Sequence, residues 1–294
     1  RDLGLTNSVW GVALPQAAFA LPMTVVILRP FLMALPKELE EAALLDGANL
    51  LALTAMSNVT GTLTPVRELT AKAHAAGALV SLDACQYVPH LATDVVDLGV
   101  DFASFSAHKM LGPTGLGVLW GREELLEAMP PFLGGGGMIL NVTLDGFTPA
   151  ELPAKFEAGT PPIAEIVGLA AAIDYLDDLG MEAVREHEVS VTSYAMRTLT
   201  ERFGDDLTIH GPAEPAARGG VLSMALDGVH PHDLSQVLDQ HAVCVRPGHH
   251  CAKPLMRRLG IGATARASWY VYNDTDDIDR LIDALDATAE FFSF

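Results

Sequence analysis

Short apolar runs alternate with amphipathic stretches from about residue 50 to the end of the chain, which is the pattern of an α/β protein. Apolar runs of strand length predict four strands in the first half, with Asp83 directly after the second. These strands cover residues 50–54, 78–82, 102–106 and 117–120. A helical pattern over residues 65–76 separates the first two strands, and a run of four glycines at 134–137 follows the fourth.

The second half of the chain predicts long helices and then a smaller α/β unit. The helices are expected at residues 163–179, 181–203, 231–240 and 274–292, and strands at 221–226 and 242–246. We therefore expect a large domain over residues 49–162. Connecting helices and a small C-terminal domain are expected over residues 163–294.

The segment before Asn49 has a different composition. Residues 8–28 contain no charged side chain, which is long enough to cross a bilayer, although Pro15 and Pro22 interrupt the run. The polar string 35–43, Leu-Pro-Lys-Glu-Leu-Glu-Glu-Ala-Ala, resembles the coupling loop of sugar-type ABC transporter permeases. This resemblance implies that residues 1–48 are a foreign permease fragment joined near position 48, and membrane attachment is expected only if they insert. The alternative is an amphipathic N-terminal helix of a soluble enzyme.

The charge balance excludes nucleic acid as a partner. The chain has 37 acidic and 18 basic residues and a formal net charge of −19, whereas phosphate binding requires clustered Lys and Arg. Three cysteines at 85, 244 and 251 are too few for a disulfide scaffold and favour a reducing compartment. We therefore expect a cytoplasmic protein, and the first residues do not resemble a secretory signal.

Polar residues at the ends of two predicted strands have the chemistry of a pyridoxal phosphate (PLP) site. Such an enzyme needs a lysine to carry the cofactor and an acid against the pyridine nitrogen. Asp83 and Lys109 occupy successive strand ends, where ligands bind in open α/β sheets. Gln86 is placed to donate to the phenolic oxygen of the cofactor, and Ser106 and His108 to reach its phosphate.

Six motifs make residues 49–294 similar to a SufS-type, group II cysteine desulfurase with the class V aminotransferase fold. They are Ser57-Asn58-Val59, Asp83-Ala84-Cys85-Gln86, Ser106-Ala107-His108-Lys109, Gly112-Pro113-Thr114-Gly115, Phe156-Glu157-Ala158-Gly159-Thr160-Pro161 and Arg246-Pro247-Gly248-His249-His250-Cys251-Ala252. The resemblance implies a PLP-dependent transferase of fold type I, with a large mixed-sheet domain whose N-terminal part is missing or replaced and a small C-terminal α/β domain.

The resemblance also assigns roles to individual residues. It implies that Asn58 contacts the cofactor or substrate, and that Gly159 and Thr160 reach the phosphate of a neighbouring subunit in a homodimer. Arg266 matches the arginine that binds the substrate carboxylate, a group that suits a bidentate guanidinium. Arg246 is expected to assist in substrate binding.

Cys251 is the predicted sulfur acceptor. It follows an apolar run on a loop bounded by Gly248 and Pro254, and a nearby cation such as Arg246 or a protonated His favours the reactive thiolate. Cys85 and Cys244 are predicted to be small buried hydrophobes in strands. A zinc site among the neighbouring His and Cys residues is disfavoured, because structural sites need paired ligands at short spacings; no metal is predicted. The glycine run lacks the Lys-Ser or Lys-Thr of a P-loop and is expected to be a flexible loop near the site.

The function implied by the resemblance is conversion of L-cysteine to L-alanine with a persulfide on Cys251. The short loop before this cysteine resembles the subgroup that passes sulfur to a SufU- or SufE-type acceptor for Fe-S cluster assembly. Selenocysteine lyase activity, an inactive chimeric fragment and a membrane transport fragment remain alternatives. The phosphate-binding turn and the ring-stacking His of the family have no match before Asn49, which places full activity in doubt.

Overall fold

A computed structural model describes residues 50–292, and the predicted permease-like segment 1–48 lies outside this range. The first sheet has the order β1-β2-β3-β4. Its strands are β1 (Leu50–Thr54), β2 (Leu79–Asp83), β3 (Phe102–Ser106) and β4 (Gly117–Gly121). The first three strands are parallel and β4 is antiparallel to β3, so the predicted mixed sheet is confirmed.

The register of the parallel strands aligns their carboxyl ends. Thr54 lies opposite Asp83, and Asp83 lies opposite Ser104. Val80 and Leu82 are fully buried because alternate side chains of β2 face the apolar core of this sheet. The loops that follow β1, β2 and β3 therefore leave the sheet at one common edge.

A second, antiparallel sheet has the order β7-β8-β10-β9, and a separate hairpin precedes it. The hairpin strands are β5 (Ile139–Val142) and β6 (Phe147–Pro149). The sheet strands are β7 (Leu207–His210), β8 (Val221–Leu226), β9 (Arg246–Gly248) and β10 (Thr264–Ser268). Leu222, Met224 and Ala265 have no exposed surface and form the centre of its core.

Eight α-helices cover the two sheets within residues 50–292. They are α1 (Val66–Ala75), α2 (Val95–Leu98), α3 (Glu123–Ala128), α4 (Ile163–Leu179), α5 (Met181–Phe203), α6 (Pro231–Gln240), α7 (Lys253–Leu259) and α8 (Thr275–Phe291). The bounds of α4, α5 and α6 agree with the sequence prediction. Asp274, the predicted start of the last helix, is its N-cap. Within the described range, no helix has both the length and the apolar character needed to span a bilayer.

One predicted strand is wrong in position. Residues 242–245 are not a strand, and β9 pairs with β10 only from Arg246 onward. Cys244 is consequently exposed rather than buried in a strand. Cys85 lies just after β2 and is partly buried, so its predicted burial is met only in part.

Candidate active site

A cavity of about 260 Å³ lies at the common edge where the parallel strands end. Five predicted site residues line it. They are Asn58 from the loop after β1, Gln86 from the loop after β2, His108 and Lys109 from the turn after β3, and Arg266 from β10. The fold thus brings together residues that are up to 208 positions apart in sequence.

A tight turn presents Lys109 to this cavity. Residues Ala107–Lys109 form one turn of 3₁₀ helix directly after β3. Ala107 is fully buried, its N–H donates to the Leu116 carbonyl at 3.0 Å, and its carbonyl accepts the Gly112 N–H at 3.0 Å. A Cβ at Gly112 would lie only 2.9 Å from the same carbonyl oxygen, which explains why glycine stands there. The buried alanine anchors the turn and leaves His108 exposed and Lys109 partly exposed.

Asp83 and Ser106 stand at neighbouring strand ends beside the cavity but do not line it. The Asp83 carboxylate accepts the Cys85 N–H at 3.0 Å. The Cys85 Sγ lies 3.6 Å from the Ser106 Oγ. Burial, and next the charge of Asp83, raise the pKa of the Cys85 thiol. Cys85 is therefore kept as a thiol next to the predicted acid.

Cys251 lies on an exposed turn between β9 and α7, as the sequence predicts. An Nη2 of Arg246 lies 3.7 Å from its Sγ, so a guanidinium is adjacent to this thiol. His250, in contrast, has 2% of its surface exposed. Burial, and next the charges of Arg266 and Arg246, lower the pKa of His250 to about 4. The expectation that a protonated histidine assists the thiol is therefore wrong for His250, and Arg246 is the adjacent cation.

Hydrogen bonds join the cavity to the cysteine turn. The Asn58 Nδ2 donates to the His250 carbonyl at 2.8 Å, and an Nη1 of Arg266 donates to the Asn58 carbonyl at 2.8 Å. Burial lowers the pKa of Arg266. Its Nε is buried and has no hydrogen-bond partner within residues 50–292.

Gly159 and Thr160 are not brought to this cavity. Both are exposed on the loop before α4. The Gly159 N–H donates to the Gly136 carbonyl at 2.7 Å, and a Cβ added at Gly135 would lie 3.3 Å from the Ala158 Cβ and from the Gly159 N. The glycine run thus lies beside the Gly159–Thr160 loop.

One wall of the cavity is aromatic and was not predicted from the sequence. It consists of His90, Trp269, Tyr270 and Tyr272. The His90 ring meets Tyr270 edge to face at 4.7 Å, and its Nδ1 contacts the fully buried carboxylate of Glu188. Burial, and next the charge of Glu188, raise the pKa of the Tyr270 hydroxyl. Only their closeness in sequence to predicted site residues could have indicated them, because His90 follows Gln86 and Trp269-Tyr270 follow Arg266.

Residues 50–292 hold no group of three or more His, Cys, Asp or Glu side chains placed to bind a metal ion. Cys244 lines a different cavity of about 240 Å³ together with residues of α8.

The family model described as Aminotransferase class-V matches residues 24–281 of this chain. A probable cysteine desulfurase of Streptomyces coelicolor is 51% identical over 81% of this chain and 56% of the relative. Probable cysteine desulfurase 2 of Mycobacterium leprae is 51% identical over 87% of this chain and 60% of the relative. The apo structure of a cysteine desulfurase from Thermococcus onnurineus superposes with a TM-score of 0.80 at 38% identity, covering 84% of this chain and 61% of that one.

The chain spans about 56 to 61% of the length of these relatives. The family match begins at residue 24 and therefore includes part of the segment predicted to be foreign. The relatives described above are desulfurases rather than permeases, and they give the permease resemblance no support.

Proposed function

The chain belongs to the aminotransferase class-V family, and we propose that it supplies the cofactor lysine and the sulfur-accepting cysteine of a SufS-type cysteine desulfurase. One observation carries the proposal. Lys109 and Arg266 line the same cavity, and the Arg266–Asn58–His250 hydrogen bonds connect that cavity to the turn that exposes Cys251.

The residues at the strand ends fit PLP, which supplies an electron sink when bound. The chemistry of the donor set supports this, because an amine, an amide and an imidazole line one cavity beside a carboxylate and a hydroxyl. Lys109 would carry the cofactor and Asp83 would hold its ring nitrogen. The remaining proposed contacts are Asn58, Gln86, Ser106 and His108, with Gly159 and Thr160 of a second subunit. The Cys85 N–H fixes one Asp83 oxygen and leaves the other for the ring.

L-cysteine is the proposed substrate. Arg266 is half-buried and lines the cavity wall, where a guanidinium supports binding of the substrate carboxylate. Arg246 assists from the edge of the small sheet, next to Cys251. In the sulfur step, the Cys251 thiolate attacks the substrate sulfur, the substrate C–S bond breaks and an S–S bond forms. The product is a persulfide on Cys251, and the carbon skeleton takes up protons to become L-alanine.

The proposed partners follow from the exposure of Cys251 and of α4. An exposed thiol supports transfer of sulfur to a SufU- or SufE-type acceptor for Fe-S cluster assembly in the cytoplasm. The exposed apolar side chains Ile163, Ile166 and Val167 of α4 support a homodimer, since apolar patches commonly mark interfaces. The exposed Gly159–Thr160 loop, directly before α4, would then be available to a neighbouring subunit.

Borohydride reduction in the presence of PLP tests the cofactor site. Reduction fixes the cofactor on the lysine that carries it, so we expect mass spectrometry to find the label within residues 101–122, at Lys109. Lys109→Arg should remove the label, whereas Lys72→Arg, on an exposed helix face, should not. Failure to label residues 101–122 of the parent chain would overturn the proposed function.

Replacement of Cys251 tests the sulfur step. Cys251→Ala should abolish persulfide formation from L-cysteine while the borohydride label at Lys109 remains. Cys244→Ala removes another exposed thiol and should leave persulfide formation unchanged. Sulfide release by Cys251→Ala at the parent rate would contradict the role of this residue.

A further inference from the structure

The turn that carries Cys251 has an unusual backbone. His250 and Cys251 have φ angles of 52° and 62°, so two consecutive non-glycine residues adopt the left-handed conformation. L-residues rarely adopt it, although Asn, Asp and His do so more often than others, and at a residue such as Cys251 the strain persists only where the surrounding structure imposes it. Specific contacts must therefore hold this turn.

The His250 ring supplies one such contact from inside the protein. The side chain is buried, and its Nε2 lies 2.8 Å from the Thr264 Oγ1, which belongs to a residue with no exposed surface. The backbone of the turn is held separately, because the Asn58 Nδ2 donates to the His250 carbonyl at 2.8 Å. Cys251 itself stays exposed. His250 is thus fixed on both its ring and its backbone, while the residue after it projects outward.

Apolar packing also holds the chain after Cys251 in place. Ala252, Leu255 and Met256 pack with Val59 in one buried cluster. The Ser223 Oγ donates to the Val59 carbonyl at 2.6 Å, so the loop after β1 is itself fixed on the small sheet. The segments on both sides of Cys251 therefore have a rigid support.

His250 does not act as a charged group. Burial, and next the nearby Arg266 and Arg246, lower its pKa to about 4, and its Nδ1 is buried without a hydrogen-bond partner among residues 50–292. The ring is neutral near pH 7 and is enclosed away from solvent. His250 must then act on the Cys251 thiol through the position in which it holds that residue.

We propose that His250, anchored on Thr264 and Asn58, is a positioning residue that holds Cys251 in the left-handed conformation beside the Arg246 guanidinium. The inference rests on the proposed function only in treating Cys251 as the reactive thiol. These contacts keep the Cys251 Sγ at 3.7 Å from Arg246, where a guanidinium N–H donates to the sulfur and a positive charge lies beside it during nucleophilic attack. Loss of the anchor releases the turn and separates the two groups.

Alkylation of the full chain by iodoacetamide at neutral pH tests the anchor. Mass spectrometry follows each cysteine, and the exposed Cys244 serves as an internal reference. Thr264→Val removes the hydroxyl that meets His250. The ratio of the Cys251 rate to the Cys244 rate should fall about two- to tenfold, the factor expected for one hydrogen bond. Thr288→Val is the matched control, because Thr288 is equally buried but donates within α8 to Ala284; it should leave the ratio unchanged.

Two further variants separate positioning from a general loss of structure. In an Arg246→Met background, Thr264→Val should no longer lower the ratio, because the guanidinium beside which His250 holds Cys251 is absent. His250→Asn keeps a residue that tolerates the left-handed conformation but lacks the ring, and should lower the ratio as Thr264→Val does. An unchanged ratio in Thr264→Val or in His250→Asn, or an equal fall in the Arg246→Met background, would overturn the proposal. The reagent needs neither cofactor nor L-cysteine, so a failed borohydride experiment would leave this test intact.

Discussion

A single buried polar side chain, that of Arg218, stabilises a loop of this chain. Arg218 has no exposed surface and donates hydrogen bonds to the carbonyls of Pro212, His210 and Val221. Burial lowers its pKa to about 10. It joins the loop before β8 to the small sheet in place of regular backbone pairing. Backbone carbonyls that are removed from water need such a donor.

Arg218→Met should destabilise the chain strongly. Methionine fills a similar volume, but it leaves one buried and two partly buried carbonyls without their donor, so the free energy of unfolding should fall by about 3 kcal/mol. Arg258→Met, at an exposed position of α7, is the matched control and should change it by less than about 0.5 kcal/mol. Urea unfolding followed by circular dichroism measures both. Equal stability of the two variants would show that the three hydrogen bonds add little.

His250 should make stability depend on pH. Its pKa in the fold is about 4, below the ordinary value of about 6.5. As the pH falls, the unfolded chain therefore binds this proton first. The contribution of neutral His250 to the free energy of unfolding is fully present above about pH 6.5. It falls by up to about 3 kcal/mol between about pH 6.5 and 4, and below about pH 4 it does not change further.

His250→Gln should flatten that part of the profile. Without a titratable group at this position, the slope of the unfolding free energy against pH should decrease between about pH 6.5 and 4. The decrease should correspond to at most one proton bound on unfolding. Urea unfolding at several pH values measures the slope. His210, whose pKa burial also lowers, remains in the variant and retains its own contribution. An identical slope in parent and variant would contradict the neutral, buried state of His250.

At the scale of elements, the end of α6 explains why one strand prediction was wrong. The apolar run Ala242-Val243-Cys244-Val245 has the composition of a strand. Its first residues instead terminate the helix, because the Ala242 N–H donates to the Asp239 carbonyl and the Val243 N–H to the Leu238 carbonyl. These bonds form a Schellman motif, in which glycine usually takes the left-handed position. Alanine stands there with a φ of 59°, so the sequence lacked the usual signal.

Ala242→Gly should therefore stabilise the chain. Glycine adopts the left-handed conformation without a Cβ clash, and Ala242 is exposed, so the change leaves no cavity. We expect a gain of about 0.5 to 1 kcal/mol in the free energy of unfolding. Ala170→Gly, at an exposed interior position of α4, should have the opposite sign and cost about 1 kcal/mol. Thermal and urea unfolding of both variants check the pair, and a destabilised Ala242→Gly would contradict the assigned helix end.

Elements that stand out as apolar or helical runs were predicted well, and elements without such a signal were missed. The bounds of β1, β3, β8, α4, α5 and α6 match, because a short apolar run such as β8 and a long helical stretch such as α5 are both recognisable in the sequence. The hairpin strands β5 and β6 are mostly exposed on both faces, so they show no alternation. β10 consists of small and polar residues, Thr-Ala-Arg-Ala-Ser. Its strand character depends on partners in β8 and β9 that lie far apart in sequence.

The candidate site shows the same division. The positions of Gln86 and Lys109 at the cavity, and of Asp83 at a strand end, could be predicted because the carboxyl end of a strand is a recognisable position in sequence. The burial of His250 and its contact with Thr264 could not, since they depend on how β10 packs behind the cysteine turn. Cys244 was misplaced for a related reason, because its apolar neighbours belong to the helix end and not to a strand.

On the scale of the whole molecule, the net charge of −19 affects stability more broadly than any single pair. The last turn of α4 shows how excess negative charge destabilises the fold locally. Asp177 and Asp178 are exposed there, and this turn contains no basic residue. Negative charges at a helix C-terminus oppose the helix dipole, and like charges spread over a compact fold repel one another more than they do in an extended chain.

Salt should consequently stabilise the chain. Raising potassium chloride from about 0.1 M to about 1 M shortens the screening length from about 10 Å to about 3 Å, which weakens repulsion in the folded state more than in the unfolded state. The free energy of unfolding should rise over this range, as measured by thermal unfolding at fixed pH. A triple variant with Asp174→Asn, Asp177→Asn and Asp178→Asn removes three exposed charges from α4 and should be more stable at low salt, with a smaller salt response. If the parent and the triple variant gained equal stability from salt, ion-specific effects on the surface rather than charge repulsion would be the cause.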